Sequence, residues 1–291
     1  MWFYAALSMA FISGIYTILS KHALKKIDPI VFYWAAILFS IPFILPLVIK
    51  EGIPELNYKF FIGVIASVIF YTISKIIFNK IIQKNSLSEV YPIISLSPIF
   101  ALIFSMFILS EKYSIAEFLA MAVTLLGAYV LNISSIKKGL FEPFKMLFKN
   151  KISFWMLISV ALVGIVSVFD KLAINNTFPQ NESFAILTEN IIIIICFLPW
   201  VIAKKKMVLP QIMSNTKTFI LVGFLMAVST FLAFWALGNG EAGLVTSVFR
   251  TQVFFVLLFS YIFFKDRPKT ETIIGSIIMF AGLVLLKYLA G

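Results

Sequence analysis

Ten stretches of about twenty apolar residues, parted by short polar connections, leave this chain one class of fold. They run approximately over 2–20, 30–49, 60–82, 88–110, 114–134, 153–172, 183–203, 218–238, 242–264 and 271–289. A helix rises 1.5 Å per residue, so each stretch can cross a hydrocarbon core about 30 Å thick. Of the 291 residues, 61% are hydrophobic and only 13% charged. Soluble domains carry about 25% charged residues, so this chain lacks the polar surface that water requires. The pattern predicts an all-α integral membrane protein with ten transmembrane helices. Its first partner is the lipid bilayer.

Smaller features fit that reading. Residues 1–20 have no basic stretch before them and lysines after them, the reverse of a secretory signal, so they are expected to stay as the first span. A single Cys196 excludes a disulfide framework. The net charge of +11 belongs to span ends. It serves orientation and headgroup contact rather than nucleic acid. Most Lys and Arg fall in the first, third, fifth, seventh and ninth connections. The positive-inside rule then places those connections in the cytoplasm and both termini outside.

The chain also repeats itself. Residues 86–134 and 241–289 match at an offset of 155, pairing Phe104 with Phe259, Ser105 with Ser260, Glu111 with Asp266 and Gly127 with Gly282. At an offset of 150, Gly14, Ile15, Lys21 and Ala23 find Gly164, Ile165, Lys171 and Ala173. The expected organisation is a first five-helix repeat over 1–134, a basic connecting segment over 135–152 and a second five-helix repeat over 153–291. Five spans is an odd number, so the second copy enters the membrane the other way up. Inverted repeats of this kind suit alternating access, with a substrate site between the copies near mid-membrane.

The hairpin that closes each half carries a more specific likeness. Ser97-Pro98 with Ser110-Glu111-Lys112 in one half, and Lys265-Asp266-Arg267 in the other, resemble the drug/metabolite transporter superfamily, closest to its EamA-like branch. The second half departs from the pattern with Val253 where the first has Pro98. The resemblance covers nearly the whole chain. It implies a secondary carrier of small molecules (amino acids, sugars, nucleotide-like compounds or drugs) that works without ATP, as a monomer or homodimer. It names no cargo.

Candidate site residues are the polar groups that the bilayer should exclude, since a charge near its centre costs at least about 2.5–3.5 kcal/mol. Arg250 stands about nine residues into the ninth span, with Ser247, Thr251 and Gln252 beside it. A planar guanidinium suits a carboxylate or phosphate. Two roles stay open, substrate contact and a structural pair with a buried carboxylate. Glu189 in the seventh span is the obvious carboxylate, with Glu89 as another. Either one could pair, bind a cation or carry a coupled proton. Lys75 and Asn79 share a face of the third span by i, i+4 spacing, unless Lys75 snorkels to the interface. Tyr91 and Ser95 lie in a fourth span that Pro92 and Pro98 are expected to interrupt. Trp235, with Phe231 and Phe234, offers either an aromatic wall or simple packing. His22 reads as a solvated residue at a span end, and Asp170-Lys171 as a charge pair at another.

The cavity is expected between spans 1, 3, 4, 6, 8 and 9. The chain has no phosphate-binding Gly-Lys-Ser/Thr loop, no His/Cys cluster with metal spacing and no Ser-His-Asp set. Neither a cofactor, a metal nor an enzymatic activity is expected. Two other readings remain, a flippase of lipids or lipid-linked sugars, and a non-transporting scaffold subunit or intramembrane enzyme. High Ile, Lys and Phe usage points to an AT-rich microbe, so the expected place is a prokaryotic plasma membrane, crossed many times.

Overall fold

The computed structural model describes residues 1–85, 93, 96–130, 151–265 and 270–289. The sequence candidates Glu89, Tyr91 and Ser95, and the turn residues Asp266 and Arg267, lie outside them. So does most of the connecting segment 135–152. Among the described residues the first half forms α1 (Trp2–Leu24), α2 (Pro29–Glu51), α3 (Tyr58–Lys84), α4 (Ser97–Ile108) and α5 (Ile115–Val130). The second half forms α6 (Lys151–Ile174), α7 (Glu182–Ala203), α8 (Lys205–Ser214) and α9 (Thr216–Asn239). It ends with α10 (Ala242–Phe249), α11 (Gln252–Phe264) and α12 (Thr270–Leu289).

Among the described residues seven spans are long and apolar enough to cross a membrane, with α10 and α11 counted together; α4 and parts of α5 and α12 form shorter apolar helices. Their outward faces carry Ile65, Phe107 and Ile195, apolar side chains that suit acyl chains. In lipid a backbone N–H or C=O has no water to bond, so helices that satisfy their own backbone are the economical solution.

Several helix starts are set by the local sequence. Asp28 Oδ1 accepts from Ile30 N at 2.8 Å and Val31 N at 3.3 Å, with Pro29 at the first helical position of α2. Asn57 caps α3 and Asn181 caps α7 in the same way. Pro98 lies in the first turn of α4, where a ring without an N–H costs nothing.

Three details depart from a plain ten-helix reading. The chain is not wholly helical: β1 (Glu55–Leu56) pairs antiparallel with β2 (Thr177–Phe178), Glu55 opposite Phe178. The connection after α7 contains the short helix α8. The ninth span is broken between α10 and α11.

Hydrogen bonds between connections sort the bundle into two ends. At one end Lys21 Nζ donates to Asn85 O at 2.8 Å, and Asp28 N donates to Gln211 Oε1 at 2.8 Å. At the other, Asn181 Nδ2 donates to Gly52 O at 3.1 Å, beside the β1–β2 pair.

Close helix contacts rest on small residues, as they must where no hydrophobic effect drives helices together. A Cβ on Gly14 would meet Phe255 Cβ at 2.9 Å, and one on Gly164 would meet Phe100 Cβ at 2.6 Å. Gly127 packs against Met279 N, where a Cβ would come within 2.4 Å, and Gly282 against Thr124 N, at 2.6 Å. The atoms in the way at 279 and 124 are backbone, which cannot swing aside. Gly127→Ala should therefore cost roughly 1–3 kcal/mol of stability, and Gly127→Leu more. Thermal unfolding of the detergent-solubilised protein measures this, with Ile195→Ala on the lipid-facing surface expected to change it by about 0.5 kcal/mol or less.

Candidate functional site

Polar stripes at helical spacing run along the inner faces of α1, α3 and α6. Ser13, Thr17 and Ser20 lie at i, i+4 and i+7 on α1; Ser67, Tyr71, Ser74 and Lys75 follow the same period on α3; Ser159, Ser167 and Asp170 do so on α6. A repeat of 3.6 residues brings each set to one face. The faces meet at a cavity of about 190 Å³, to which α4, α7, α9 and the α10–α11 junction also contribute. The seventh span, not among those expected around the cavity, thus lines it through Glu189 and Asn190. Between α3 and α6 the stripes lock together: Ser74 Oγ donates to Ser159 O at 2.9 Å, and Ser159 Oγ to Ser74 O at 3.0 Å.

Sequence reading joins Asp170 to Lys171, but the structure separates them. Neighbours on a helix point about 100° apart, so they cannot serve one face. Asp170 turns into the cavity and accepts from Ser67 Oγ. Lys171 turns to the bundle end and forms an ion pair with Glu111 at 2.5 Å. Glu189 stands beside Asp170 rather than Arg250. It is 8% exposed, and its Oε1 is buried without a hydrogen-bond partner.

Arg250 sits at the break in the ninth span. Arg250 N donates to Ser247 O at 3.2 Å, Thr251 N to Val248 O at 3.0 Å and Val253 N to Arg250 O at 2.9 Å. These i→i−3 bonds tighten the turn and interrupt the α pattern. A regular helix would give Thr246 O the N–H of residue 250; here Arg250 Nε donates to it at 3.3 Å. The neighbouring hydroxyls also bond back to the helix: Thr246 to Ala242 O, Ser247 to Gly243 O and Thr251 to Val248 O. Such bonds bend helices, which explains why this polar run breaks its span.

The cavity gathers four of the sequence candidates around it: Arg250, Gln252, Lys75 and Asn79, with Glu189 as a fifth. Gln252 Nε2 reaches α1, donating to Ser13 O and Thr17 Oγ1, each at 3.2 Å. Lys75 does not snorkel away. It lines the cavity, with Nζ 5.3 Å from the Tyr71 ring centre and 5.6 Å from that of Phe78. Ser247 and Thr251 are buried with their hydroxyls committed to backbone, and they do not line the cavity. Trp235 is also elsewhere, in a surface groove against Met1, Tyr4 and Ser8, because it points off the opposite side of α9 from Ala233 and Phe234. Asp170, Ser67 and Ser159 are the residues that sequence reading missed. The i, i+4, i+7 polar stripes were the signal that could have found them.

A second constellation pins one end of the bundle. The side chain of Glu111, in the turn after α4, accepts from Ala242 N at 3.1 and 3.0 Å through its two oxygens. It thereby caps α10, whose own first residues supply no side-chain cap. Lys171 Nζ pairs with the same carboxylate and donates to Gly240 O at 2.8 Å. Tyr113 OH donates to Glu111 Oε2 at 2.5 Å and accepts from Gly243 N at 3.0 Å. Burial, then the hydrogen bond to Glu111, pushes the Tyr113 phenol up, so it remains a donor. Glycine at 243 lets the phenol approach this closely, since a Cβ there would meet Tyr113 Oη at 2.8 Å.

The family model described as the EamA-like transporter family matches twice, over 1–133 and 150–288. The chain belongs to the EamA-like transporter family. An EamA-like assignment agrees with a relative named "Uncharacterized transporter" from Synechocystis sp., 30% identical over 136 residues. That match covers 44% of this chain and only 39% of the relative. A solved structure titled "Crystal structure of protein" superposes with a TM-score of 0.66 at 12% identity, over 99% of this chain and 96% of that one, so the two share a fold. This chain is therefore a multi-pass membrane protein of a transporter family. Removing the carboxylate that pins its bundle end tests the constellation there. Glu111→Ala strands a buried lysine and two capping interactions, and should lower stability by roughly 3 kcal/mol. Tyr113→Phe should cost about 1 kcal/mol; thermal unfolding in detergent reads both.

Proposed function

We propose that the protein is a secondary-active carrier of a small polar or amphipathic metabolite, an exporter or exchanger that works by alternating access. The observation that carries this reading is a cavity holding Lys75, Asp170, Glu189 and Arg250 inside a bundle whose outer faces are apolar. Buried ionisable groups at membrane depth are costly, and they mark the path of a solute or ion.

Its ten spans form two five-helix halves, 1–134 and 153–291, joined by a basic segment and related by a pseudo-two-fold axis in the membrane plane. The close contacts support this. Adding 150 to Gly14 gives Gly164, and adding 155 to Phe100 gives Phe255, so the two glycine–phenylalanine contacts exchange. The same shift of 155 turns Gly127 and Thr124 into Gly282 and Met279, which exchanges the other pair. Lys21 on Asn85 O has its counterpart in Lys171 on Gly240 O. Contacts that come in exchanged pairs let the halves trade conformations at little net cost. The Glu111 constellation would hold one end closed while the opposite end opens.

Lys75, Asn79, Arg250 and Gln252 would contact the substrate, and Asp170 with Glu189 would hold its cationic group or a coupled proton. The expected home is a prokaryotic plasma membrane. Reconstitution in liposomes tests the reading. Counterflow of a labelled solute from a metabolite panel should appear with the wild-type protein. It should fall at least tenfold with Lys75→Gln and Arg250→Gln variants of normal thermal stability. Unchanged kinetics in both would refute substrate contact at this cavity. Lipid scrambling without solute exchange would refute the carrier.

A further inference from the structure

The cavity's charges are sorted by sign. Asp170 and Glu189 stand side by side, with Ser67 on α3 donating to Asp170 and one Glu189 oxygen left without a partner in a buried position. The basic end is Lys75, also on α3, with Arg250 within electrostatic reach of it. Among the described residues Lys75 meets aromatic rings and no hydrogen-bond acceptor. Ser67 and Lys75 are eight residues apart, about 12 Å of helix rise, and Tyr71 lies between them on the same face. Each centre acts on its own partner across that gap.

Unsatisfied charge of either sign is expensive in a dry site. A ligand that brought an ammonium to Asp170 and Glu189 and a carboxylate to Lys75 would relieve both ends at once. A pure amine or a pure acid would relieve only one. An α-amino acid carries both charges on a single carbon, whereas the two centres are anchored about 12 Å apart along α3. The cavity, about 190 Å³, has room for a short chain. The Tyr71 ring between the two centres suits methylene groups.

We propose that the cavity takes a short zwitterion with its amine and its acid separated by several carbons, an ω-amino acid or a molecule with the same charge layout. This rests on the carrier reading above and names its substrate class.

The test uses the full-length protein in liposomes and nanodiscs with 6-aminohexanoate, glycine, hexylamine and hexanoate as probes. The expected result is thermal stabilisation and trans-stimulated counterflow by 6-aminohexanoate, with the other three at least tenfold weaker. Lys75→Gln should bring 6-aminohexanoate down to the level of hexylamine, and Glu189→Gln to that of hexanoate. Equal binding of hexylamine or hexanoate by the wild-type protein would overturn the two-ended site, and equal binding of glycine would overturn its length. These comparisons need no variant, so they stand even if a substitution prevents insertion. Exchange of an uncharged solute with all four probes silent would overturn the zwitterion and leave the carrier intact. Silence toward these and the wider metabolite panel would count against both.

Discussion

Every polar group in this bundle must find its partner within the protein, because the bilayer offers none. That constraint accounts for features that would look unrelated in a soluble domain. Serine and threonine hydroxyls on α1 and α10 bond to carbonyls of their own helix. Serines 74 and 159 bond each other across two helices. The bare N-terminus of α10 is satisfied by a carboxylate and a phenol from a turn more than a hundred residues earlier. Even the broken turn at Arg250 keeps its account closed, since the guanidinium takes the carbonyl that the backbone gives up. Groups that escape this rule stand out, and Glu189 is one of them.

Much of this was legible in the residues. Long apolar runs reveal spans because the hydrocarbon thickness imposes their length, and recurring glycines reveal the duplication because only a missing side chain permits such close backbones. Lys75, Asn79, Glu189, Arg250 and Gln252 were found by asking which polar groups sit too deep. Depth, however, is read along the chain and says nothing about direction around a helix. Trp235 lies off the cavity for that reason: it is one residue past Phe234, which faces the cavity, and so turns to another side of the helix. Ser247 and Thr251 lie off the cavity for a different reason. A hydroxyl can satisfy itself on the preceding turn, so its presence in a span does not mark a site.

The same angular argument explains the most consequential miss. Asp170 and Lys171 look like one charged spot in the sequence, yet a step of one residue sends them to different places. One serves the cavity and the other serves the bundle end. The small β1–β2 pair and helix α8 were beyond reach, since both lie in short polar connections whose conformation is set by what they touch.

Helix α10 ties those two places together. It is eight residues long, about 12 Å, with the Glu111 carboxylate at its first N–H and Arg250 at its last turn. A rod this short has no room to bend within itself, and the tight turn after it is a ready pivot. Pulling its head away from Glu111 would swing its tail, and with it the guanidinium. In the carrier proposed above, closure of that end and the position of the cation in the cavity would become one mechanical variable, read out at opposite tips of a single lever.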